Sequence, residues 1–119
     1  MSELENKFYR MWLQHNPDIK LLREVQAIPN RRFRFDFAHL ETRVLIEIQG
    51  GTFYHKKLGH NTGKGLHRDY EKANLAQLQK WHLFYFDSKM FISNWFIGIG
   101  NFIRLEERRL KNQKEIKKN

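Results

Sequence analysis

The chain has 119 residues, room for one domain and one modest core. Lys and Arg number 22 against 13 Asp and Glu, a net charge of +9 that favours a polyanionic partner, nucleic acid first. An apolar share of 40% excludes compositional disorder, and the lack of cysteine excludes a disulfide framework and a thiolate zinc site.

The opening Met1-Ser2-Glu3-Leu4-Glu5 is acidic and unlike a signal peptide. No apolar run is long enough to span a bilayer, so a cytoplasmic protein with no membrane partner is expected. Ser2 can cap a helix reaching about Gln14, with Glu3 and Glu5 in its first turn and Leu4, Phe8, Met11 and Trp12 on one face. Leu21 to Ile28 reads as a strand, and Pro29-Asn30 as a turn. Arg31 to Ala38 alternates, with Phe33, Phe35 and Phe37 on one side and Arg32, Arg34 and Asp36 on the other. After a short connection, Arg43 to Gln49 reads as the next strand, with Val44, Ile46 and Ile48 opposite Leu45, Glu47 and Gln49. Gly50 to Gly65 is a Gly-, His- and Lys-rich loop. A helix over Leu66 to Lys80, packed through Leu66, Tyr70, Ala73 and Leu78, is followed by a strand at Trp81 to Asp87. A last helix spans Met90 to Leu110, with Gly98 and Gly100 as candidate breaks. The domain is expected over 1–110, with 111–119 as a frayed basic tail.

The two alternating strands form an antiparallel hairpin if their turn centres on Glu41-Thr42. That register sets Phe37 against Ile46, Phe35 against Ile48 and Asp36 against Glu47. Facing carboxylates repel, and a divalent cation would offset the cost, because hard cations prefer carboxylate and carbonyl oxygens. The Ile48 carbonyl is a candidate third donor. Arg31, Arg32 and Arg34 suit a phosphate backbone.

Arg34-Phe35-Asp36-Phe37-Ala38, followed after ten residues from Asp36 by Glu47 in Ile46-Glu47-Ile48-Gln49-Gly50-Gly51, resembles the PD-(D/E)XK nuclease superfamily. The closest similarity is to small stand-alone, phage-type enzymes, akin to very-short-patch-repair-like and resolvase-like endonucleases. The resemblance runs from the first helix to the strand at Leu83–Phe86, and is reinforced by His60-Asn61-Thr62-Gly63-Lys64-Gly65 and Asp69-Tyr70-Glu71-Lys72-Ala73-Asn74. It implies a restriction-endonuclease-like α/β domain: an αβββαβ core plus a C-terminal helix, with a central mixed sheet containing an antiparallel hairpin flanked by helices. It also implies a metal-dependent DNA endonuclease, structure-specific or nicking, using Mg²⁺ or Mn²⁺. By this match Asp36 and Glu47 hold the metal, and Gln49 stands where the family usually has lysine. Glutamine cannot supply that charge or act as a base, so Lys72 is the candidate replacement. Glu5, with Glu3 as its competitor, is a candidate further ligand from the first helix.

Ordinary roles compete throughout. An acidic strand residue is usually solvated, Lys72 could be a surface lysine, and Glu5 could serve only the helix start. His60 and Lys64 are candidate DNA contacts, although a plain loop histidine is as good a reading of His60. The histidines match no zinc spacing, and Gly59 to Gly65 lacks the spacing and the Ser/Thr of an NTPase loop. A non-catalytic DNA-binding module on the same fold is the alternative function. Two symmetric cuts would require a homodimer, for which 90–103 offers an interface that core burial would explain equally.

Overall fold

The computed structural model describes residues 2–49 and 63–118. Its elements run α1 (Glu3–His15), β1 (Leu22–Val25), β2 (Phe35–His39), β3 (Val44–Ile48), α2 (Gly63–Leu78), β4 (His82–Phe86) and α3 (Ser93–Lys118). The described residues are therefore α/β, with three α-helices and one four-stranded mixed sheet in the order β1-β2-β3-β4. The first three strands are antiparallel neighbours, and β4 joins β3 in parallel. A parallel pair needs a crossover, and α2 lies within it.

α1 begins as expected. Ser2 is extended, and its Oγ accepts the Glu5 N–H at 3.1 Å while donating to Glu5 Oε2, so it caps the helix. Phe8 and Trp12 are its fully buried residues. They pack with Phe37, Val44, Ile46, Phe86, Phe96, Ile99 and Ile103 in the core under α1 and α3. The opposite sheet face carries a smaller core of Ile28, Phe35, Ala38, Leu45, Ala76 and Trp81, under α2.

Five expectations change. Phe35 and Phe37 do not share a face: Phe37 joins the core under α1 and α3, and Phe35 the core under α2. The switch falls at Asp36. The β1–β2 ladder pairs Arg23 with Phe37 and Val25 with Phe35, and Glu24 between them has a left-handed φ of 51° that breaks the pleat. Strand β2 also starts only at Phe35, so Arg31 to Arg34 lie on the connection leading into it.

α2 packs through a different stripe from the one its large apolar residues suggest. Leu66, Tyr70 and Leu78 are exposed, whereas Ala76 is fully buried and Leu75 packs beside it. Small Ala76 lets the helix approach the sheet, and Lys72, one turn earlier, shares that face.

α3 runs unbroken through Gly98 and Gly100, and continues across the expected tail to Lys118. Gly100 serves a close approach. A Cβ there would overlap the Asn16 carboxamide and lie 2.6 Å from its Cγ. Asn16 is fully buried; its Nδ2 donates to the Phe96 carbonyl and its Oδ1 accepts from Arg104 Nη2, both at 3.0 Å. This contact locks the end of α1 onto α3. Among the described residues no helix is long and apolar enough to cross a membrane.

Candidate functional site

The β2–β3 ladder follows the expected register, His39 with Val44, Ala38 with Leu45 and Phe37 with Ile46. At the next step side chains replace backbone partners. Asp36 N–H donates to Glu47 Oε1 at 2.9 Å, and Ile48 N–H donates to Asp36 Oδ2 at 2.7 Å. Each carboxylate thus bridges to the neighbouring strand. The N–H and C=O of one strand residue point to the same side, so the Ile48 carbonyl also faces β2. Gln49 N–H continues the other ladder, donating to the Phe86 carbonyl at 2.6 Å. Gln49 is exposed, two positions beyond Glu47.

Lys72 reaches this point from α2. Its Nζ donates to Glu47 Oε2 at 2.8 Å and to the Arg34 carbonyl at 2.5 Å, and sits 4.5 Å from the centre of the Phe35 ring. Both side chains of the Lys72–Glu47 pair are mostly shielded from solvent. The acid pair is therefore not held by a cation alone, as the facing carboxylates had suggested: Lys72 already neutralises Glu47. One ammonium between two carboxylates still leaves excess negative charge.

That excess falls on Asp36. Burial, reinforced by the charges of Glu47 and Glu5, raises its pKa from 3.8 to about 6, against the opposing pull of the Ile48 N–H and Lys72. The effect of Glu5 on Asp36 shows that the first turn of α1 faces the site. Glu3 is exposed and does not contribute to this shift. Glu5 is thus both the partner of the Ser2 cap and a charge that acts on Asp36.

A raised carboxyl pKa means that folding favours the protonated acid. The stabilisation is complete below about pH 4 and is lost as pH rises through about 6. The full shift would correspond to about 3 kcal/mol, reduced to about 1–2 kcal/mol by solvent screening of a partly exposed group. Asp36→Asn should therefore be more stable than the parent above pH 6 by about that amount, with the advantage vanishing near pH 4. Urea unfolding of both proteins at the two pH values, without metal, checks this.

The donors suit a hard cation. Asp36 Oδ1 has no hydrogen-bond partner among the described residues, and carboxylate oxygens already accepting one bond retain lone pairs. Among the described residues, the group of three metal-type side chains with donor atoms within 4.8 Å of one another is a different one, His39, Glu41 and Glu107. It lies at the hairpin turn, the opposite end of β2. His39 Nδ1 there bonds Thr42 Oγ1 at 2.8 Å, and Nε2 lies 4.0 Å from Glu107.

Beside the acids, Arg31, Arg32, Phe33, Arg34, Arg68, Asp69, Glu71 and Lys72 line an open cleft of about 510 Å³. Arg31 lies over the Phe33 ring at 4.9 Å and is ion-paired to Glu71. Arg32 and Arg34 are exposed. The structure thus brings Asp36, Glu47, Ile48, Lys72 and the arginines to one end of the sheet, with Glu5 alongside. His60, Gly50, Gly51 and the side chain of Lys64 lie outside the described residues. Two neighbours were not singled out from sequence. Arg68 was legible, one turn before Lys72 on the same helix. Tyr85 was not, because its place depends on the parallel pairing of β4. Comparison with known proteins finds no matching family model and no match among curated proteins or solved structures.

Proposed function

We propose that this protein is a metal-dependent DNA endonuclease of PD-(D/E)XK type, on a restriction-endonuclease-like version of the α/β fold. The observation that carries the reading is the meeting of Asp36 from β2, Glu47 from β3 and Lys72 from α2 beside an arginine-lined cleft. A structural pair would need no such cleft, and a surface lysine would not be shielded against a strand carboxylate.

Asp36, Glu47 and the Ile48 carbonyl would hold Mg²⁺ or Mn²⁺. The bound ion would polarise a phosphoryl oxygen and lower the pKa of its water. Arg31, Arg32, Arg34 and Arg68 grip phosphates and set the strand in place. Lys72 acts as a fixed charge rather than a base. An ammonium has three donors; two go to Glu47 and Arg34, and the third is left for a phosphate oxygen or the attacking water. Gln49, at the end of β3, orients water or phosphate without supplying charge.

Replacing Lys72 with Met should lower the cleavage rate about 100-fold, by loss of a preorganised cation. It should also move the acid limb of the pH–rate profile upward, because Lys72 helps hold the Asp36 pKa down. Single-turnover rates across a pH series check both effects. An unchanged profile would leave Lys72 a merely structural partner of Glu47.

The Lys72–Glu47 ion pair also favours a second reading, a DNA-binding module without catalysis, because it compensates one acid unaided. The deciding experiment incubates the protein with branched, mismatched, nicked and linear DNA in Mg²⁺ and in Mn²⁺. Cleavage supports the nuclease, whereas salt-sensitive binding without cleavage in any condition supports the module.

A further inference from the structure

Among the described strands β4 lies at the sheet edge, and its parallel register sets Tyr85 on the same rung as Glu47. Residues on one rung present their side chains to the same face, so Tyr85 stands on the Glu47 side of the sheet. Its sequence neighbours turn the other way: Phe86 is fully buried and Phe84 packs against the core under α1 and α3. Tyr85 itself is 41% exposed. Among the described residues its side chain takes part in no ring contact and no hydrogen bond.

Tyrosine is common on edge strands through β-propensity alone. One feature sets this one apart: it shares a rung and a sheet face with Glu47 of the acid pair and is partly open to solvent there.

Resting on the DNA-cleaving function proposed above, we propose that Tyr85 is a nucleotide platform, its ring stacking on the nucleobase beside the phosphate that Asp36 and Glu47 would address. A ring lying along a sheet edge can meet a base face only when that base has left its duplex stack. The substrate class is accordingly single-stranded or locally unpaired DNA. Stacking of this kind tolerates any base, so discrimination is by strand structure rather than by sequence.

The test titrates the full chain, in EDTA so that nothing is cut, into oligonucleotides carrying the fluorescent base 2-aminopurine, single-stranded and as the matching duplex. The parent and Tyr85→Phe should bind the single strand alike and quench its fluorescence. Tyr85→Ala and Tyr85→Leu should bind it about tenfold more weakly, leave it unquenched and lose the preference over duplex. Thermal melting of each variant establishes that it is folded, and the Leu variant keeps a side chain suited to a strand. The proposal is overturned if Tyr85→Phe is weakened as much as Tyr85→Ala, or if both non-aromatic variants match the parent. A parent that quenches but never cuts with metal overturns the nuclease reading alone. A parent that cuts, with Tyr85→Ala binding and quenching normally, overturns the platform alone.

Discussion

Asp36→Asn and Glu47→Gln should each slow phosphodiester hydrolysis by at least ~10³-fold while leaving DNA affinity intact or slightly tighter. The first part follows from the energy a bound metal contributes. Several kcal/mol of charge stabilisation in the transition state, at about 1.4 kcal/mol per tenfold, gives that factor. The second follows from sign, since each change removes a negative charge beside the arginine-lined cleft. The two variants should differ in their side effects. Asp36→Asn keeps an oxygen for the Ile48 N–H and relieves a buried acid. Glu47→Gln leaves Lys72 without its carboxylate and should cost stability, as expected when one partner of a shielded pair is removed. Cleavage rates in Mn²⁺, paired with anisotropy binding in EDTA, separate catalysis from binding. Parent-like rates for both variants, from preparations free of contaminating nuclease, would eliminate the mechanism.

Gly100→Ala should destabilise the protein by about 3 kcal/mol, and Gly98→Ala should stabilise it by about 0.5–1 kcal/mol. Both glycines sit in the first turns of α3, where alanine is the better helix former. At Gly98 an added Cβ meets nothing within 4 Å, so the propensity gain stands alone. At Gly100 the Cβ would enter the space of the Asn16 carboxamide. Asn16 cannot retreat without giving up its bonds to the Phe96 carbonyl and to Arg104, and unsatisfied buried groups cost about 1–3 kcal/mol each. The lost junction between α1 and α3 outweighs the helix propensity. Thermal melts should show Tm falling by about 10 °C for Gly100→Ala and rising by a few degrees for Gly98→Ala. Equal behaviour would mean that α1 does not depend on this contact.

Much of this arrangement was legible in the chain. Alternation and a shared turn were enough to set Phe37 against Ile46, and that register brought Asp36 to Glu47. The Ser2 cap of α1 was visible because capping is local. What stayed hidden was tertiary. Nothing local marks Glu24 for a positive φ, so the turn of Phe35 towards α2 could not be read. The apolar residues of α2 pointed to Leu66, Tyr70 and Leu78, yet the sheet selects the stripe through Ala76, because a small residue allows closer packing. Lys72 shares that stripe, which is why a lysine that reads as a surface residue reaches Glu47. Tyr85 needed the β3–β4 pairing, set by a crossover that no short-range pattern specifies. The repulsion argument for the acids was incomplete for the same reason, since it counted two charges and omitted the ammonium that α2 delivers.

Everything proposed for this site depends on a hard cation outcompeting the proton at Asp36. Calorimetric titration of Mn²⁺ near neutral pH measures that directly. The parent should bind the ion with proton release that grows as the pH approaches 6, seen as a heat that varies with the buffer's ionisation enthalpy. Asp36→Asn and Glu47→Gln should show neither uptake nor proton release. Undiminished Mn²⁺ binding by both variants, or none by the parent, would contradict the account.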